Sequence, residues 1–389
     1  MRYALRGGRI FDGDRILTDY AVVIDGEWID ALMPTPELPA GIRSYDLNGG
    51  LLAPGFIDTQ VNGGAGVLFN DNPSVDTIAA IGRAHRRYGT TGFLPTLISD
   101  RREVMVKAVA AAHEAFGVVA GVLGMHLEGP YLSQARKGIH PGSMVREPEA
   151  DAFRLLTGLG AEGARTLVTL APEVAPPGFI RQLCEAGVIV AAGHTEATYE
   201  QINAALAEGV RGFTHLFNAM SPLTSRAPGA VGAALDHSDS WCGLIVDAHH
   251  VHPATLRVAI RAKANGKMML VTDAVQTVGA PGREFELLGQ RIIREGGKVS
   301  APDGTLAGSD LDMLGAVRNS VELLGLGLGE SLRMASRYPA DFLKLGGRYG
   351  SIGEGYKASL VLLDTDIWQV RQTWIDGQLD SALPHLSCC

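Results

Sequence analysis

Residues 188–220, VIVAAGHTEATYEQINAALAEGVRGFTHLFNAM, read as strand, helix, strand, and each strand ends on a histidine. VIVAAG is a short run of β-branched and small apolar residues that stops at His194. In ATYEQINAALAEG the apolar residues Tyr199, Ile202, Ala205 and Leu206 recur at helical spacing, and Gly209 ends the run. GFTHLF then delivers His215. In a parallel sheet both strands run the same way, so both imidazoles emerge at one edge. Two histidines at one edge suggest a metal, and the remaining chain must supply a third ligand, a base and something to bind.

Outward from this unit the same rhythm continues. Strand-like runs fall at 55–62, 92–98, 122–129, 166–173, 188–195, 212–218, 241–248 and 268–274. Helical patterns lie between most of them: TIAAIGRAHRRYG, EVMVKAVAAAHEAF, EADAFRLLTGL, PGFIRQLCEAG and PATLRVAIRAKAN. Eight βα units over roughly 220 residues match a (β/α)8 TIM-type barrel better than an open sheet. After the eighth run come a segment of hairpin character, EFELLGQRIIREGGKVSA, and two helical patterns, DMLGAVRNSVELLG and GESLRMASRYPADFLKL. Both chain ends are β-rich, with YALRGGRIF and DYAVVIDGEWIDALM at one and SIGEGYKASLVLLDTD and VRQTWIDGQLD at the other. They are expected to pair into one small β-sandwich domain of residues 1–53 and 350–389, flanking a barrel of residues 54–349.

Composition narrows the class. A chain of 389 residues with 46% apolar and 20% charged residues can bury the core of an ordinary globular enzyme. A formal charge of −8 without a basic run argues against general nucleic-acid binding. Cys184, Cys242, Cys388 and Cys389 form neither a CxxC nor a disulfide framework, so a reducing cytoplasm is expected, and the terminal Cys-Cys reads as a tail. No apolar run approaches the ~20 residues needed to span a membrane.

In such a barrel the chemistry sits where strands end at the carboxyl edge. Those ends carry Gln60 and Asn62, Glu128, His194, His215, Asp247 with His249 and His250, and Asp273. Glu128 alone reads equally well as a strand-end carboxylate bonded to backbone amides, and either histidine alone as a polar cap. Jointly they make a His2Glu set with an open position, the donor set of catalytic zinc sites. Asp273 closes the last strand, where a carboxylate can serve as general base and acid. The following AVQTVGAPG is not a helix for it to cap. Arg226, in the glycine- and proline-rich NAMSPLTSRAPGAVG, suits a phosphate or carboxylate and reads equally as a solvated arginine. His250 is placed to face the mouth, His249 and His252 read as surface, and His140 in KGIHPG could reach over the site as a carbonyl polariser.

These motifs resemble the amidohydrolase superfamily and, within it, the N-acetylglucosamine-6-phosphate deacetylase family. The matching stretches are PGFIDTQVNGGAGVLFND, HLEGPYL with KGIHPG, AGHTEATYEQI, THLFNAMSPLTSRAPGAVGA, GLIVDAHHVHP, LVTDAV and TLAGSDLDM. They recur in order across the barrel, and in GEGYKASLVLLD the chain carries Ser359 where the superfamily more often has Asp. The resemblance implies that Glu128, His194 and His215 bind the metal and that Asp273 is general base and acid. It further implies that His140 polarises the acetamide carbonyl, while Asn218, Ala219, Arg226 and His250 hold the sugar phosphate. Leu306, Ala307 and Gly308 should line the sugar pocket. The arginine and histidine come from the neighbouring subunit in that family, so a homodimer is expected. Most superfamily members carry His-x-His after the first strand; here Gln60 and Asn62 stand as vestigial second-metal positions, since neutral amides are poor transition-metal ligands. One divalent metal is therefore expected, Zn2+ or else Fe2+. The implied reaction is hydrolysis of N-acetylglucosamine 6-phosphate in amino-sugar catabolism or cell-wall recycling. The alternatives are the galactosamine epimer, another acetamide, or a non-catalytic barrel scaffold.

Overall fold

A computed structural model describes residues 2–380, so the Cys388–Cys389 tail lies outside the described residues. The chain divides into two compact units, one from residues up to 58, 85–92 and 313 onward, the other from 59–84 and 93–312.

An eight-stranded parallel sheet runs in sequence order through β1 (Phe56–Val61), β2 (Thr90–Ile98), β3 (Gly124–Glu128), β4 (Arg165–Leu170), β5 (Ile189–Ala192), β6 (Gly212–Phe213), β7 (Trp241–Leu244) and β8 (Met268–Leu270). Just beyond β8 the chain pairs back onto β1: Val61 bridges Ala274, and the Asp273 amide donates to the Gln60 carbonyl at 3.0 Å. The (β/α)8 expectation is borne out. The observed strands are shorter than the apolar runs because the backbone bends away at their carboxyl ends. His194, His215, Ala248 and Asp273 all take positive φ, at 49°, 34°, 64° and 52°. Non-glycine residues rarely adopt that region, and its cost is characteristic of functional sites.

The crossover after His194 shows how local chemistry sets the element. Thr198 Oγ1 accepts from the Gln201 amide at 3.3 Å, and Gln201 Oε1 accepts from the Thr198 amide at 2.8 Å, a reciprocal capping box. The helix Tyr199–Glu208 buries Ile202 and Ala205 and stops at Gly209, whose φ of 116° suits glycine. A helix that sequence patterning missed, Gly229–Asp236, connects β6 to β7. GAVGAALD has no polar face to reveal a period: its residues from Gly229 to Ala234 are all buried.

The hairpin segment is a three-stranded antiparallel sheet of Glu284–Leu287, Gln290–Glu295 and Lys298–Ser300. Its Leu287, Ile292 and Val299 form a buried cluster with Leu68, Ile98, Val275 and Ala307.

The chain ends do pair. Leu360–Asp364 runs antiparallel to Leu51–Pro54 within a six-stranded sheet, while Arg2–Arg6, Tyr20–Asp25, Trp28–Pro34 and Ser44–Asp46 make a four-stranded one. Leu5, Val22 and Ile24 of the smaller sheet share one core with Leu52, Leu360 and Trp374 of the larger, so the two sheets form a sandwich. Ser359 sits here too, its Oγ accepting from the Asp376 amide at 3.2 Å. The same unit holds three helices, Met313–Glu322, Leu328–Ala335 and Arg337–Phe342. The second predicted pattern is thus two helices, broken at Ser336.

Candidate active site

Glu128 is the last residue of β3, and His194 and His215 lie just past β5 and β6. The carboxyl ends of β3, β5 and β6, with β4 between the first two, therefore bring their side chains together. Glu128 Oε1 is 3.2 Å from His194 Nε2 and 2.9 Å from His215 Nε2, and the two imidazole nitrogens are 3.1 Å apart. All three side chains are buried. Among the described residues this is the one cluster of three or more such groups close enough to hold a metal ion.

The donor set fits a cation. Donors ~2.0–2.2 Å from a tetrahedral centre stand roughly 3.3 Å apart, close to the observed spacing. His194 Nδ1 lies 2.8 Å from the Arg136 carbonyl, which fixes the proton on Nδ1 and leaves the Nε2 lone pair facing the cluster. Burial alone pushes the Glu128 carboxyl up, but hydrogen bonds and charge from His194 and His215 outweigh it and hold the group well below the ordinary carboxylate range. For His215 burial acts downward, and Glu128 more than reverses it.

Asp273 lies across from this set. Its carboxyl is pushed up to about 6, by burial first and then by the Glu128 charge, against the opposing pull of His215, His250 and the Asn62 amide. Gln60 and Asn62 are also at the site: Asn62 Nδ2 donates to Asp273 Oδ1 at 2.7 Å, and Gln60 Nε2 donates to Asp273 Oδ1 at 3.1 Å and to Glu128 Oε2 at 3.0 Å.

His140 packs beside His194 with ring centroids 4.5 Å apart. Burial pushes its imidazole well below its ordinary value, so it is neutral. The Ser99 amide donates to His140 Nδ1 at 3.3 Å, and Ser99 Oγ lies 2.8 Å from the same atom. An accepting nitrogen carries no proton, so the imidazole proton sits on Nε2. Sequence reasoning missed Ser99, although it stands immediately beyond β2 and the strand-end rule covers it. It also missed the Arg136 carbonyl, for which a side-chain pattern offers no signal.

Glu128, His194, His215, Asp273, His140 and Asn62 border one cavity of about 360 Å³. Its lining includes the apolar Leu68, Ile98, Ile139, Val275 and Leu287, together with Leu306, Ala307 and Gly308. Asn218, Ala219 and His250 line it as well. His250 Nδ1 is held 2.7 Å from Asp247 Oδ2, and Asp247 Oδ1 accepts from the His249 and His250 amides at 2.8 and 2.9 Å. Those bonds overcome the upward push of burial on Asp247 and hold its carboxyl low. His250 thus borders the cavity of its own chain, whereas delivery to a neighbouring subunit was expected. Arg226 is exposed and is not among the residues lining that cavity. His252 is more than surface: its Nδ1 caps the helix Pro253–Ala262 by accepting from the Ala254 amide at 3.2 Å.

Barrel and site together define a metal-dependent hydrolase. Residues 51–384 match the Amidohydrolase family, and the chain belongs to it; residues 2–52 match the NagA composite domain. The chain is 42% identical to the N-acetylgalactosamine-6-phosphate deacetylase of Shewanella sp. (strain ANA-3), over 95% of each sequence. It is 38% identical to the N-acetylglucosamine-6-phosphate deacetylase of Haemophilus influenzae, over 97% of this chain and 99% of that one. The crystal structure of N-acetylglucosamine-6-phosphate deacetylase from Pasteurella multocida superposes with a TM-score of 0.93 at 36% identity, covering 98% of this chain and 100% of that one.

Proposed function

We propose that this chain hydrolyses the acetamide of N-acetyl-D-glucosamine 6-phosphate to D-glucosamine 6-phosphate and acetate. The observation that carries the reading is the meeting of Glu128, His194 and His215 at one cavity with Asp273 and His140. Its volume of about 360 Å³ suits a small-molecule site. Relatives named for both epimers match over nearly their full length, which keeps N-acetylgalactosamine 6-phosphate as the second reading.

Glu128, His194 and His215 would hold one divalent cation, Zn2+ by the preference of a two-imidazole, one-carboxylate set, with Fe2+ the alternative. Bound there, it would supply Lewis acidity toward the amide oxygen and toward water. The chain's own groups do the rest. Asp273 takes a proton from the attacking water and, once protonated, delivers it to the departing nitrogen. A carboxyl raised to about 6 suits both roles near neutral pH. His140 donates from Nε2 to the carbonyl oxygen as negative charge grows on it. Asn218, the Ala219 backbone, Arg226 and His250 hold the phosphate, which positions the amide from a distance. Leu306, Ala307 and Gly308 shape the sugar pocket.

We further infer a cytoplasmic homodimer in which Arg226 completes the neighbour's phosphate site, acting in amino-sugar catabolism or cell-wall recycling. Cys184 and Cys242 are not joined in a disulfide, which accords with a reducing compartment. The functional division is a catalytic barrel at 54–349 and a flanking sandwich at 1–53 and 350–389, since every group the chemistry needs lies between Gln60 and Gly308.

The test is acetate release from N-acetylglucosamine, N-acetylgalactosamine and their 6-phosphates, with the native metal quantified. Phosphorylated N-acetylglucosamine should be turned over fastest. Equal rates on free and phosphorylated sugars would overturn the substrate assignment.

A further inference from the structure

We propose that Gln60 and Asn62 are positioning residues that saturate Asp273 Oδ1 and so direct the transferred proton to Oδ2. The proposal rests on the hydrolytic reading above.

A carboxylate oxygen offers two lone-pair directions. At Asp273 Oδ1 both are taken, by Asn62 Nδ2 at 2.7 Å and Gln60 Nε2 at 3.1 Å. The backbones are locked at the same place. The Asp273 amide donates to the Gln60 carbonyl at 3.0 Å, and the Asn62 amide donates to the Ala274 carbonyl at 2.9 Å. Neither strand end can slide relative to the other without breaking both sets of bonds.

The Asn62 amide is oriented for Asp273 at its own expense. Its Oδ1 is buried without a hydrogen-bond partner, a state that costs free energy. Turning the amide over would set that oxygen against the Asp273 carboxylate and remove the donor. Serving the carboxylate is therefore the stronger demand. Gln60 Nε2 uses its two hydrogens on two different carboxylates, Glu128 Oε2 and Asp273 Oδ1, and so fixes the spacing between cation ligand and base. The pair does more than mark the place of a lost second metal site.

With Oδ1 saturated, the reaction runs through one oxygen. An O–H bond of water breaks, its electron pair forms the new bond to the carbonyl carbon as the C=O π pair moves onto oxygen, and the proton lands on Oδ2. That proton then moves to nitrogen as the oxygen pair re-forms the C=O bond and the C–N bond breaks with its electron pair going to nitrogen. A free-rotating carboxylate would present either oxygen, and much of its encounter geometry would be unproductive.

The experiment compares the wild-type enzyme with Asn62→Leu, Asn62→Ala and Gln60→Leu. N-acetyl-D-glucosamine 6-phosphate is the substrate, and kcat, KM, bound metal and thermal midpoint are read for each. Asn62 touches only Asp273 among the functional carboxylates. Both Asn62 variants should therefore lose kcat about 10- to 100-fold, with KM and metal content held. Gln60→Leu should lose metal content as well. The Ala variant adds neither bulk nor charge, so it keeps the test sound if the Leu variant unfolds. Wild-type kcat in both Asn62 variants, or a loss that tracks only metal content, overturns the proposal. Wild-type enzyme releasing no acetate would instead sink the underlying reaction and is read from the same plate.

Discussion

The backbone amide of Ser99 donates to Nδ1 of His140 across 3.3 Å, which puts the imidazole proton on Nε2. A neutral donor at that place can stabilise a developing oxyanion without itself changing charge. His140→Asn should therefore lower kcat about 10²- to 10³-fold while metal content stays at the wild-type level. A variant retaining most of its turnover would remove His140 from this role.

Asp273 sets the acid limb of the pH profile. Its carboxyl titrates near 6, so kcat/KM should fall about tenfold per pH unit below that value. The same shift has a stability sign. A folded-state pKa raised from 3.8 stabilises the fold fully below 3.8, and that contribution is lost as pH rises through about 6. Asp273→Asn removes the buried charge. In metal-free protein it should match the wild-type thermal midpoint near pH ~4 and exceed it near pH ~8, while turnover drops about 10²- to 10⁴-fold. Equal midpoints at both pH values would contradict the burial cost assigned to this carboxylate.

Removing the cation should abolish turnover and lower the thermal midpoint, because binding stabilises only the state in which the donors converge. Adding Zn2+ back should restore both, at one ion per chain. Two ions per chain would show that Gln60 and Asn62 do not exclude a second site.

Arg226→Ala and His250→Asn should raise KM for the 6-phosphate about 10- to 100-fold, the scale of a lost charge-assisted hydrogen bond. Turnover of the unphosphorylated sugar should not change. Mixing Arg226→Ala with Asp273→Asn protein supplies a check on assembly. If Arg226 serves the neighbour's site, mixed dimers assayed at 6-phosphate concentrations well below the KM of Arg226→Ala recover a rate that neither parent shows. No recovery after subunit exchange would place Arg226 in its own chain's chemistry or outside it.

Much of the barrel was legible because each strand and helix advertises its own period, and the capping box at Thr198 and Gln201 marks a helix start in four letters. Glu128, His194 and His215 were legible because strand ends converge in a barrel whatever the loops do. The helix Gly229–Asp236 was not, since burial on all sides erases the polar face that patterning needs. Nor was the carbonyl of Arg136 that orients His194, since every residue owns a carbonyl. The amides of Gln60 and Asn62 were read for the ligands they are not. Their partner Asp273 lies more than 200 residues along the chain, and only barrel closure brings the two together.

The left-handed backbone at His194, His215 and Asp273 ties the choice of side chain to the bend of the chain. Asparagine, aspartate and histidine tolerate that conformation better than most residues, and β-branched ones tolerate it worst. Alanine scanning at these three positions would therefore mix a lost functional group with an altered conformational cost, whereas asparagine isolates the chemistry. Glu128 is not among the positive-φ residues, so ligand swaps there can be interpreted at face value. Redesign of this rim toward another metal has one freely exchangeable corner and two that admit only a short menu.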